Sequence, residues 1–136
     1  MKRNVGLFLF ALSLSAALGT VAGCAKPVPA VSHKTVGDLT VTLTATPPPH
    51  LGDNTFSITL ADAATLAPIG HANITATPEM LSPRTPGTPS SGRAQGNGLY
   101  AVPVRLGIAT RYDIALHIER PGKPAADISC PVDAEE

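Results

Sequence analysis

From Asp38 onward the chain alternates between apolar and polar residues with a period of two. Leu39, Val41 and Leu43 are interleaved with Thr40, Thr42 and Thr44. Phe56, Ile58 and Leu60 alternate with Thr55, Ser57 and Thr59, and Ala72, Ile74 and Ala76 with Asn73, Thr75 and Thr77. Tyr100, Val102 and Val104 follow Gly98 in the same rhythm. Tyr112, Ile114, Leu116 and Ile118 alternate with Asp113, Ala115, His117 and Glu119, and Asp127 to Val132 closes the series. Successive side chains of a strand point to opposite faces, so each stretch predicts a strand with one buried and one wetted face. Six such strands joined by turn-rich segments, with no helical periodicity between them, predict an all-β protein built as a β-sandwich. A seventh strand is expected near Gly92–Gln95, although no apolar pattern marks it.

Prolines and glycines punctuate the alternation. Pro47-Pro48-Pro49 ends the first strand, because proline cannot donate to a ladder. Pro78 to Gly98, with Pro83, Pro86, Pro89, Gly87, Gly92 and Gly96 inside it, reads as one long turn-rich connection. Asp53-Asn54 and Asp62 sit at strand ends, where their side chains are expected to bond the backbone of turns.

The first residues follow another pattern. Lys2 and Arg3 precede an uncharged apolar run from Val5 to Val21, which ends in Val21-Ala22-Gly23-Cys24. A positive start, an apolar core and a small-residue exit are the parts of a secretory signal. A cysteine just past the small residues resembles the lipobox of bacterial lipoproteins, in which that thiol takes a diacylglycerol and cleavage makes it the new N-terminus. Residues 1–23 are therefore expected to be a lipoprotein signal peptide, and Cys24 the lipidated residue. An uncleaved membrane helix is the competing reading, but Val5–Val21 is 17 residues, short of the ~20 that a span needs. Ala25 after the cysteine, rather than Asp, resembles the form that is carried to the outer membrane. Residues 24–37, with Pro27 and Pro29, read as an extended tether with a reach of roughly 30–40 Å. Residues 38–133 make the domain.

Composition narrows the function. Removing 23 of 136 residues leaves 113, enough for one modest core. Lys2 and Arg3 leave with the signal, so 8 basic side chains face 10 acidic ones. No basic run exists, tryptophan is absent and aromatics are scarce, which excludes a nucleic-acid surface. With Cys24 lipidated, Cys130 is the one remaining thiol. Its place in Ile128-Ser129-Cys130-Pro131-Val132 puts it on the apolar face, as a small buried hydrophobe.

The donors for a soft metal are sparse. His71 and His117 fall on polar faces, His50 lies in a turn and His33 in the tether; none shows the spacing of paired ligands. A site made of Met80, His71, His117 and Cys130 would have to be assembled by the fold, with Cys130 turned outward. No Gly-x-Ser-x-Gly elbow, His-Glu-x-x-His or paired-carboxylate signature is present, so no enzyme is expected.

Several short pieces together resemble a known family. They are Gly52-Asp53-Asn54-Thr55-Phe56, Ala67-Pro68-Ile69-Gly70-His71-Ala72-Asn73-Ile74, Pro78-Glu79-Met80 and Gly98-Leu99-Tyr100. In this order they look like the YtkA-like domain, grouped with FixH-like proteins, over about Leu39 to Val132. The resemblance implies an immunoglobulin-like β-sandwich of about six to seven short strands. It also implies work beside heavy-metal, often copper, efflux systems. The family's Met-Pro-x-Met is Pro78-Glu79-Met80-Leu81-Ser82-Pro83 here, with one methionine, and Tyr112 stands near the family's tryptophan, as cover for the core. The expected function is a lipid-anchored envelope accessory or binding module, without a cofactor, facing the periplasm and meeting an envelope protein partner. The alternative is a periplasmic carrier of Cu(I).

Overall fold

The computed structural model describes residues 30–136, which contain ten strands and no helix. The strands are β1 (Ala30–Val36), β2 (Leu39–Ala45), β3 (Gly52–Asp62), β4 (Asn73–Leu81), β5 (Arg84–Pro86), β6 (Ser90–Ser91), β7 (Arg93–Gly96), β8 (Leu99–Leu106), β9 (Arg111–Glu119) and β10 (Ala126–Asp133). They form two antiparallel sheets, ordered β1-β2-β3-β8-β7 and β10-β9-β4-β5, with β6 also on β4. The protein is a β-sandwich. All six strands expected from alternation are present, and β7 is the seventh.

The alternation becomes the core without a slip. Leu39, Val41, Leu43, Phe56, Ile58, Leu60, Ile74, Tyr100, Val102, Ile114, Leu116 and Ile118 are all at most 2% exposed. Register carries this pattern across each sheet: Leu43 faces Ile58, which faces Tyr100, and Ala76 faces Leu116, which faces Ile128. A shift of one residue in any pair would turn a whole apolar set to water. Cys130 joins this core, opposite Ile114.

Two tyrosines fasten the ends. The Tyr100 hydroxyl donates to the Ile69 carbonyl at 2.8 Å and accepts the Ala72 N–H at 3.1 Å, which ties the β3–β4 loop to the core. The Tyr112 hydroxyl donates to the Ile108 carbonyl at 3.0 Å and accepts the Ile108 N–H at 3.1 Å, which closes the β8–β9 corner at the other end. Tyr112 therefore covers the core, as its sequence position suggested, and also organises a turn.

Two segments differ from the sequence reading. Pro78 to Gly98 is not one long loop. β4 runs on to Leu81, and β5, β6 and β7 fill most of the remainder. Asn97 (φ 52) and Gly98 (φ 73) form the two-residue β7–β8 hairpin turn. Gly98 is required there twice over, because a Cβ would also lie 2.5 Å from the Leu60 carbonyl oxygen. The second difference is in the tether. Its last part is β1, which pairs with β2 from Ala30↔Ala45 to Val36↔Leu39. Only residues 25–29 then lie between Cys24 and the sheet. The alternation of β1 is weak because its residues from His33 to Val36 are exposed at the sheet edge. Lys34 there donates to the Ser129 carbonyl of β10, across the gap between the sheets.

Phe56 is fully buried at the centre of β3. Phe56→Ala is expected to lower stability by about 3–5 kcal/mol, read as a fall in the urea midpoint at unchanged slope. A loss below about 1 kcal/mol would contradict this packing.

Candidate functional site

The inward positions of the sandwich are filled, and concave surface forms on the outside, both at an end and in a depression of about 270 Å³ beside His117 on the outer face of β9 and β10. A cleft of about 500 Å³ lies where the β3–β4 loop meets the segment after β9, lined by Gly70, His71, Asn73, Glu119, Arg120 and Pro121. A second cleft of about 280 Å³ shares Gly70, His71, Arg120 and Pro121 with it and adds Asp38, Asp62 and Lys123.

The walls are built by turn chemistry. Gly37 (φ 58) and Asp38 make the two-residue turn between β1 and β2. Asp62 Oδ1 accepts the N–H groups of Ala64 (3.0 Å) and Thr65 (2.9 Å) and the Thr65 hydroxyl (3.1 Å), so Asp62 is the turn former its position predicted. The Thr65 N–H and hydroxyl, then the Ala64 N–H, hold its carboxyl below the usual carboxylate range. Asn54 does the same work at the other end, bonding His50 through both its carboxamide atoms. Asp53 instead pairs with Arg105 at 3.0 Å.

Charge at the cleft is arranged around Asp38. Arg120 Nη2 donates to Asp38 Oδ1 at 2.8 Å, and Lys123 Nζ lies 3.1 Å from Oδ2. These two bonds, Arg120 first, hold the Asp38 carboxyl far below the ordinary range. They tie the β1–β2 turn of one sheet to the β9–β10 connection of the other. The Arg120 side chain is only 9% exposed, and its buried Nε has no hydrogen-bond partner among the described residues.

The four metal candidates do not meet. His71 lies beside the cleft, exposed. Met80 is nine positions further along the same chain, in register with Tyr112 near the other end of β4, roughly 30 Å away at strand spacing. Cys130 points into the core, where burial pushes its thiol pKa up, away from the thiolate that metals bind. His117 is on the outer face of β9, with Nδ1 at 2.6 Å from Asp127 and Nε2 at 3.6 Å from Glu119. The carboxylates flank opposite ring nitrogens, so they cannot share one ion with a single imidazole nitrogen. No group of three or more His, Cys, Asp or Glu residues able to hold a metal occurs among the described residues. Thr77 and Ser129 line the same shallow depression of about 270 Å³ on the outer face as His117 and Asp127.

Of the other histidines, His33 is in β1, 2.9 Å from the Thr42 hydroxyl, and His50 Nδ1 is 3.2 Å from the Pro48 carbonyl oxygen. Cys24 lies outside the described residues. No helix among the described residues is long and apolar enough to cross a membrane. Sequence reasoning missed Asp38, Arg120 and Lys123, whose union across 82 positions has no local signature. Neither family models, curated proteins nor solved structures yield a match to this chain.

Asp127, and more weakly Glu119, raise the pKa of His117 above its ordinary value. A raised value means that protonated His117 stabilises the fold below about pH 6.5, its unfolded value. That contribution is lost as pH rises through the folded value. His117→Gln should therefore lower the urea midpoint at pH 5.5 and leave it unchanged at pH 9. An equal effect at both pH values would contradict the assignment.

Proposed function

We propose that this protein is a lipid-anchored accessory module of the cell envelope, attached through Cys24 and presenting its cleft end to an envelope protein. Residues 1–23 act as the signal peptide, and the domain faces the periplasm from the outer membrane. The observation that carries this reading is the sequence Lys2-Arg3, an uncharged apolar run and Ala22-Gly23-Cys24, set against the direction of β1. β1 begins at Ala30, opposite Ala45, and runs toward the Gly37–Asp38 turn. The chain thus approaches from the end opposite the clefts, and an anchor before β1 leaves them facing away from the membrane.

Binding fits the cleft better than catalysis does. Asp38 is held by two cations, Asp62 by its own turn, and His71 makes no hydrogen bond or ion pair among the described residues. The arrangement offers a shaped rim of mixed charge, suited to a polar protein surface. The YtkA-like identity, and with it a place beside a copper-efflux assembly, rests on the sequence pieces alone. The immunoglobulin-like form of the sandwich has support from connectivity. The orders β2-β3-β8-β7 and β10-β9-β4 match the constant-type A-B-E-D and G-F-C sheets. Tyr112, bonded four residues upstream at the start of β9, stands where that fold keeps its tyrosine corner.

Cys24→Ala in the full chain should abolish recovery with the membrane fraction, leaving a soluble or uncleaved protein of altered mobility. A mutant that fractionates and migrates like the wild type would overturn the proposal.

A further inference from the structure

The structure places two exposed apolar side chains at the end where the chain enters. Leu51 immediately precedes Gly52, and Ile108 lies two residues past Leu106; Gly52 and Leu106 are register partners at the ends of β3 and β8. Leu51 is 48% and Ile108 56% exposed. Pro47, also exposed, begins the turn that leads to Leu51. Around them the charges are paired, Arg105 with Asp53 at 3.0 Å and Arg111 with Asp133 at 3.6 Å. This end is therefore an apolar tip whose arginines are paired, with the exposed Glu135 and Glu136 making its net charge negative.

The length of chain before β1 decides what covers this tip. Ala30 pairs with Ala45, Ala45 with Phe56, and Phe56 lies five positions from Leu51, about 17 Å along the strand. Cys24 is six residues before Ala30, and six residues span at most about 20 Å. A lipid on Cys24 can thus lie only a few ångströms beyond the tip. A full 24–37 tether would have let the domain stand well clear of the bilayer, but pairing of β1 removes that freedom.

We infer that the Leu51–Ile108 tip rests in the interfacial region of the bilayer that holds the lipid anchor, so that the sandwich stands on the membrane with its clefts outward. This rests on the proposed lipidation of Cys24. Holding the tip within a few ångströms of the headgroups gives it a high effective concentration there, so two apolar side chains suffice where they would be inadequate for a free protein. Without a basic patch, and with Glu135 at the tip, the fitting surface is a zwitterionic one rather than a strongly anionic one.

The test uses the full-length precursor processed in cells and the mature protein reconstituted in phosphatidylethanolamine–phosphatidylcholine vesicles. Single variants Leu51→Cys, Ile108→Cys and Leu66→Cys are labelled with an environment-sensitive fluorophore; Leu66, 71% exposed, lies in the β3–β4 loop at the far end. The buried Cys130 stays unlabelled in the folded protein. Lipids spin-labelled close to the headgroup should quench the labels at 51 and 108 several-fold more than the label at 66. Co-flotation with vesicles reports the anchor separately. Protein that floats with equal, weak quenching at all three positions overturns the docked tip while the anchor stands. Labels at 51 and 108 that are shielded from aqueous iodide yet unquenched by lipid place a protein there instead, and also overturn it. Protein that does not float removes the anchor and the inference together.

Discussion

The burial of one alternating set of side chains from both sheets in a single shared slab is the constraint on which this structure depends. Phe56, Tyr100, Leu116 and their neighbours fill the inward positions of β2, β3, β4, β8, β9 and β10, apart from the buried Asn54 near the start of β3. Packed sheets leave about 10 Å between their backbones, which apolar side chains occupy here except at Asn54. Apart from Asn54, which bonds the His50 backbone at one end, polar side chains are confined to the two outer faces and the two ends. The outer faces carry threonines, serines and paired charges, while the cleft of about 500 Å³ lies at an end. The separation of His117 from Cys130 follows directly, since they occupy opposite faces of one sheet.

The two ends are built alike and differ in surface. Each is fastened by one tyrosine whose hydroxyl both donates to and accepts from a loop backbone. At the cleft end the Asp38–Arg120–Lys123 cluster adds a polar clasp between the sheets. The cluster is partly exposed, so its worth lies in fixing the loops rather than in raw stability. At the opposite end the corner closed by Tyr112 holds Ile108 outward beside Leu51. Pairing of β1 with β2 joins the two descriptions, because it sets how close the second end must lie to Cys24.

Much of the fold is legible in the sequence because burial writes itself as a period of two. The inward positions of Phe56, Ile58 and Cys130, the break at Pro47–Pro49 and the Asp62 turn can all be read without coordinates. β1, β5, β6 and β7 leave no such trace, because edge strands with exposed residues need no apolar set. Asn97-Gly98, the commonest two-residue hairpin signal, was the available clue to β7. The cleft was less legible. His71 could be placed on a polar position, but Asp38 and Arg120 look like ordinary turn and strand-end charges until the topology joins them. Met80 and His71, close in sequence, are far apart because an extended strand advances about 3.4 Å per residue.

The central claim is that this sandwich is held to a membrane by lipid on Cys24. The intact mass of the full-length gene product, extracted from membranes after processing, tests it most directly. The expected product is a chain that begins at Cys24, with added mass equal to a diacylglycerol thioether and any N-acyl group, all of it on the N-terminal peptide. A chain that retains Met1, or one that begins at or near residue 24 with an unmodified cysteine, would contradict it.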